Sequence, residues 1–217
     1  MTSPLDDKLA QRVAPTAGQS AGLSRTERFK ILSALLSYPE AGFSLLLEEA
    51  REACTVAGDE QMLATVNALM EVGDAQLVRC YVATFDMQEA TSLYLTAHEL
   101  GDSPERGGAL LRLHALLRLA ALEPMDGELP DFVPLLLEFL AEKPVGMPTE
   151  DLEMRLAVVC RVICKRLDET HPYLGVFKRL EAYFPDVEAV SEGMCALLAK
   201  PVTEPDIHHL PYPLAYD

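Results

Sequence analysis

The sequence predicts an all-α protein, a compact single-domain multi-helix bundle. Three observations predict it. Apolar residues recur at three- and four-residue spacing through most of the chain, no segment alternates apolar and polar between hairpin turns, and the apolar faces are too broad for a coiled-coil seam. The 217 residues are 49% hydrophobic but only 6% aromatic, with no tryptophan, so Leu, Ala and Val must fill most of the core.

The elements follow in order. Residues 1–23 mix Thr, Ser, Pro, Gly and Gln without periodicity and read as a flexible N-terminal arm. The helical domain spans 24–200. Ser24-Arg25-Thr26-Glu27 has capping-box spacing ahead of Phe29, Ile31, Leu32, Leu35 and Leu36, and Pro39 ends that helix. Two helices over 45–56 and 62–72 are separated by the breaker Gly58-Asp59. Another opens at Gly73-Asp74, where Leu77, Val78, Tyr81, Val82 and Phe85 form one apolar stripe. Further helices are expected over 92–100, about 105–122, 131–142, 149–168, 172–184 and 186–199. Residues 201–217 carry four prolines and read as an irregular C-terminal tail.

The stretch SLYLTAHELGDSPERG, 92–107, is dense in chemistry-bearing residues, yet a sharp helix–helix turn accounts for most of them. Gly101 ends one helix at a position that favours φ > 0. Asp102 or Ser103 caps the next, with Pro104 in its first turn. Arg106 is expected to hold the turn by pairing with a nearby carboxylate such as Asp102. Tyr94 and His98 are left without a structural task, and His98 has no local Ser or Cys at a spacing that would make a nucleophile–base pair.

Five scattered cysteines suit reduced thiols in a cytoplasm better than a disulfide framework. Cys160 and Cys164 share a helix face, but two ligands are too few for a structural zinc site, so buried thiols are expected and no metal. A net charge of −16 disfavours nucleic acid and anionic lipid and favours a basic partner. Residues 1–10 lack the basic and apolar regions of a secretory signal, and the leucine-rich runs are too short to span a bilayer, so a cytoplasmic protein without membrane insertion is expected. No phosphate-binding loop, dinucleotide fingerprint or nucleophile elbow occurs. In ELPDFVPLLLEFL, 128–140, Pro130 and Asp131 start a helix and put the Glu128 and Asp131 carboxylates beside its N-terminus. The residues themselves therefore describe an acidic helical binder of a basic amphipathic peptide.

Two segments carry a family likeness. YVATFDMQEATSLYLTAHELGDSPERGGALLRL, 81–113, followed by ELPDFVPLLLEFL, resembles the NarJ type of nitrate reductase assembly chaperone, the delta subunit absent from the mature enzyme. The resemblance spans roughly 24–195 and is strongest over 80–140. TFD, SLYLT, GD…RG and ELPD in this order make the signature. The wider family of redox-enzyme maturation chaperones uses an aromatic-x-x-Leu-Phe and a Glu-Pro-x-Asp-His motif. Tyr81 to Phe85 is similar to the first, with Thr84 in the leucine position; Glu128 to Phe132 is similar to the second, with Leu129 and Phe132 departing from Pro and His.

The resemblance implies the all-helical fold of the redox-enzyme maturation chaperones and no catalysis. It implies binding of the N-terminal segment of the apo catalytic (alpha) subunit of respiratory nitrate reductase, insertion of the molybdenum cofactor, a bis-molybdopterin guanine dinucleotide, into that client, and delay of membrane docking. The chaperone itself would hold no cofactor stably, and the proteins that make the molybdenum cofactor are further candidate partners. Peptide contacts are expected from Tyr81, Phe85, Tyr94, His98, Glu128 and Asp131, with Gly101, Asp102 and Arg106 as the structural turn. The competing readings are a small helical metalloenzyme using His98, His114 and Cys160/Cys164, a permanent structural subunit, and a chaperone for another molybdoenzyme.

Overall fold

The capping box expected at Ser24 opens the first helix: Ser24 Oγ accepts from the Glu27 N–H, and Glu27 Oε2 accepts from the Ser24 N–H. In the computed structural model the described residues are 22–124 and 127–184. The expected helix over 186–199, the tail over 201–217 and the arm up to residue 21 lie outside them.

Among the described residues the α-helices are α1 (Arg25–Leu35), α2 (Phe43–Ala57), α3 (Glu60–Met70), α4 (Asp74–Tyr81), α5 (Leu95–Leu100), α6 (Glu105–Leu119), α7 (Val133–Glu142), α8 (Glu150–Cys164) and α9 (Leu174–Tyr183). No strand is present among them, and a single isolated antiparallel bridge joins Tyr94 to Phe132. The all-α expectation holds.

Helix α1 packs chiefly on α7. Six of its eleven residues are buried, Ser33 among them, because Ser33 Oγ can donate to the Pro134 carbonyl at 2.7 Å. Ion pairs of Lys30 with Glu142 and Arg25 with Glu153 fasten its outer edges. Helices α2 and α3 form a hairpin at Gly58, which takes a left-handed conformation at the end of α2, and Asp59 Oδ1 then caps α3 through the Met62 N–H. Helices α8 and α9 pair next to each other, and α9 also packs on α3. Arg155 of α8 grips Glu99 of α5 with two bonds of 2.7 Å, a fork-to-fork geometry that fixes the short helix α5.

Several boundaries differ from expectation: α6 stops at Leu119 and α8 at Cys164, each short of its expected end, and two further departures have a clear physical reason. The stripe through Phe85 is not one uniform α-helix: after Tyr81 it widens into a π turn over Val82–Asp86, with the Met87 N–H bonded to the Val82 carbonyl. Helix α7 starts at Val133 rather than at 131, because the backbone of 131–133 is occupied by the bridge to 93–95.

The corner at 92–107 is built as its composition suggests except at its start, where α5 begins at Leu95 and not at Ser92 because the backbone of 93–95 is bonded to 131–133. Gly101 ends α5 with φ +55°, and Ser103 Oγ accepts from the Glu105 N–H at the start of α6. A Cβ at Gly101 would meet nothing within 4 Å, so a side chain there is opposed by the backbone alone. Gly101→Val is therefore expected to lower stability by about 1–3 kcal/mol, the usual cost of such a conformation for a β-branched residue. Chemical denaturation reads this directly; an unchanged midpoint would remove Gly101 from the corner's structural requirements.

Candidate functional site

The two motif segments meet through their backbones. The Leu95 N–H donates to the Asp131 carbonyl at 2.9 Å, and the Val133 N–H donates to the Leu93 carbonyl at 2.8 Å. SLYLT and ELPDF, far apart in sequence, are thereby joined side by side through a single antiparallel bridge. Side chains alternate across such a pair. Tyr94 and Phe132 therefore face one side together, with ring centroids 5.5 Å apart.

That side is the wall of a cleft of about 180 Å³, lined by Tyr38, Tyr81, Phe85, Asp86, Leu93, Tyr94, Glu128 and Phe132. The far wall comes from α4 and its π turn. Tyr81 is pinned by its hydroxyl, which donates to the Leu36 carbonyl at 3.0 Å, and Phe85 stacks edge-on against Tyr81 and Tyr173 at 5.0 Å. Both rings are almost wholly buried, while Tyr38 at the rim is half exposed. Behind them, Thr84 Oγ1 donates to the Cys80 carbonyl and so faces His171 Nε2, 3.0 Å away, as an acceptor. His171 Nδ1 in turn accepts from the Tyr173 N–H, and burial holds this histidine below its ordinary value.

The cleft is acidic. Tyr94 donates to Glu128 Oε1 at 2.8 Å, and the Leu129 N–H donates to the same oxygen at 3.0 Å. Burial and the neighbouring Glu128 charge raise the Asp86 carboxyl above its ordinary value. Burial, then the bond to Glu128, pushes the Tyr94 phenol up as well.

Of the residues singled out from the sequence, Tyr81, Phe85, Tyr94 and Glu128 line this cleft. The structure sets two others apart from it. His98 is half-buried with Nε2 2.7 Å from the Ser92 carbonyl, where it steadies the chain entering α5. Asp131 has no exposed surface. Its Oδ2 accepts from the N–H and the hydroxyl of Thr96 and lies 3.6 Å from Arg106 Nη2. It therefore caps α5 from across the bridge instead of starting its own helix or standing at a cleft mouth. Arg106 also differs from expectation: its ion pair is with Asp131, not Asp102, and its Nε donates to Thr96 Oγ1 at 3.0 Å. Asp102 itself is exposed. Sequence reasoning passed over Tyr38, Asp86, Leu93 and Phe132. For Asp86 a signal existed, since it is the acid of TFD directly after Phe85.

Among the described residues nothing else gathers chemistry in this way. Among the described residues no three His, Cys, Asp or Glu side chains are grouped as metal ligands. Cys160 is buried, and burial pushes Cys164 up to about 11, aided by its hydrogen bond to Glu181. A larger groove of about 310 Å³ runs between α2 and α3, past Leu45, Leu47, Leu69 and Met70, and holds none of the motif residues. No helix among the described residues is long and apolar enough to cross a membrane.

No family model matches the chain. It is 31% identical over 145 residues to a Bacillus subtilis protein described as a probable nitrate reductase molybdenum cofactor assembly chaperone NarJ, covering 65% of this chain and 78% of that one. It is 34% identical over 148 residues to the nitrate reductase molybdenum cofactor assembly chaperone NarJ of Escherichia coli K12, covering 64% of this chain and 61% of the longer relative. Among solved structures, a redox enzyme maturation protein from Archaeoglobus fulgidus superposes with a TM-score of 0.58 over 78% of this chain and 98% of its own, at 19% identity, which establishes the shared fold. These relatives are named as chaperones and not as enzymes. By the extent and level of the identity, the chain belongs to the NarJ family of nitrate reductase molybdenum cofactor assembly chaperones.

Proposed function

We propose that the protein is a client-specific assembly chaperone in the cytoplasm that binds the N-terminal segment of the apo catalytic (alpha) subunit of respiratory nitrate reductase. It keeps that subunit open for insertion of the bis-molybdopterin guanine dinucleotide form of the molybdenum cofactor and delays membrane docking until insertion is complete. The helical domain over 24–200 is the chaperone proper, and the client segment is received at the aromatic cleft by Tyr81, Phe85, Tyr94 and Glu128. One observation carries this reading: the two segments that bear the family likeness are joined by backbone bonds into one wall of a cleft. An amphipathic client segment suits such a site, with its apolar anchors against the rings and its basic face toward an acidic protein. Asp131, His98 and Arg106 serve as positioning residues that hold this wall.

The test is capture of the tagged protein from cells grown under conditions that induce nitrate reductase and blocked in cofactor synthesis. The apo catalytic subunit is expected to co-purify, and deletion of its N-terminal segment is expected to abolish capture. From cells able to make the cofactor, recovery of the chain in stoichiometric amount with active, membrane-bound enzyme would instead identify a permanent subunit. Capture of a different molybdoenzyme would replace the client.

A further inference from the structure

Among the described residues, four deeply set carboxylates come with their own cations. Asp131 lies beside Arg106, Glu99 is gripped by Arg155, Glu153 meets Arg25, and Asp59 meets Arg28. Asp86, exposed at the cleft, and half-buried Glu128 have no such cation beside them. Both line the cleft, and their charges are close enough for Glu128 to raise the Asp86 carboxyl. Among the described residues neither has an ion pair with a Lys, Arg or His. Glu128 is steadied only by neutral donors, the Tyr94 hydroxyl and the Leu129 N–H, both on Oε1. Two like charges held together against apolar rings are stabilised by a cation between them.

The walls suit a cation as well. Tyr38, Tyr94 and Phe132 offer aromatic surface around the two carboxylates, and the negative faces of such rings attract ammonium and guanidinium groups. The same chain already sets arginines over rings, Arg25 over Phe29 and Arg28 over Tyr183, each 5.0 Å from the centroid. About 180 Å³ is far too little for a helix and about right for one long side chain.

We propose that the cleft is a receptor for a single cationic side chain, arginine in preference to lysine, taken between Asp86 and Glu128 against the rings of Tyr38, Tyr94 and Phe132. The proposal rests on the reading of this cleft as the client-segment site and adds which kind of side chain anchors there. Arginine is favoured because a planar guanidinium can stack on a ring while its fork of N–H donors reaches two carboxylates at once, which a point-charge ammonium cannot do.

The experiment uses the full-length protein and three small probes that do not depend on the client: N-acetylarginine methylamide, the lysine counterpart, and the citrulline counterpart, which has the shape of arginine without its charge. Binding is followed by the ring resonances of Tyr38 and Tyr94. Arginine is expected to saturate in the millimolar range, lysine several-fold weaker and citrulline about tenfold weaker or worse, the scale of a charge-assisted hydrogen bond. Asp86→Asn with Glu128→Gln should erase the preference for arginine over citrulline. This double variant should fold normally, because Asp86 is exposed and glutamine still accepts from Tyr94. Citrulline binding as tightly as arginine, or an unchanged preference in the double variant, would overturn the proposal. The client reading stands or falls separately. Equal capture of the client by wild type and double variant would leave the chaperone reading intact and sink the cationic pocket. Saturable arginine binding without client capture would do the reverse.

Discussion

Phe85→Ala is expected to cost about 3–5 kcal/mol of stability, the range for emptying a buried phenylalanine site. Phe85 is 3% exposed, and its ring touches those of Tyr81, Tyr173 and Phe177 at centroid distances of 5.0, 5.0 and 6.0 Å. Those partners come from α4, from the entry to α9 and from α9 itself, so the void opens at the junction of separate elements and cannot close by a local shift. Against a total of about 5–15 kcal/mol such a loss leaves little margin. The urea midpoint measures it. A variant of wild-type stability that had only lost client capture would show that Phe85 is not needed to hold the floor of the cleft.

Asp131→Ala is expected to be nearly as severe, at about 3 kcal/mol. It removes a helix cap, worth about 1 kcal/mol, and leaves Arg106 and the Thr96 donors without their acceptor. Arg106 is a quarter exposed and can turn partly to water, which keeps the loss at the low end for a broken buried pair. Asp131→Asn retains an acceptor for Thr96 and gives up only the charge facing Arg106, so about 1–2 kcal/mol is expected. Denaturation of the two variants side by side separates the contributions. Equal stability of both with wild type, together with lost client affinity, would return Asp131 to the binding surface.

The helices were legible because each is written in local terms. Ser24 and Glu27 lie within one turn, the Gly58 and Gly101 stops act on their own residues, and the stripes of α4 and α8 repeat every three or four positions. The cleft was legible only in part, since its aromatic residues stand in recognisable motifs while their meeting depends on a backbone bridge between segments some 35 residues apart. Asp131 illustrates the limit. A carboxylate just before a helix reads locally as that helix's own cap, and only the bridge brings it to Thr96. The same holds for Arg106, whose sequence neighbour Asp102 looked the obvious partner until the chain delivered a buried one. Tyr38 sits beside a helix-ending proline and reads as part of that stop, with nothing nearby to tie it to Tyr81, against which it stands edge-on at 5.4 Å.

The bridge between Tyr94 and Phe132 also sets the topology of everything between them. The excursion over 96–130 leaves and returns at one fixed point, with α6 burying only a narrow line of Ala109, Leu113 and Leu117 while Leu111 and Leu119 face outward. Once the ends of a loop are clasped, its length matters only logarithmically: doubling it raises the closure cost by about 0.6 kcal/mol. Insertions, deletions and rewritten sequence can thus accumulate on the outward face of α6 and between α6 and Glu128 without moving the cleft walls. Chains built on the same clasp are free to diverge there in length and surface character, and so to acquire separate attachments, while the receiving site stays the same.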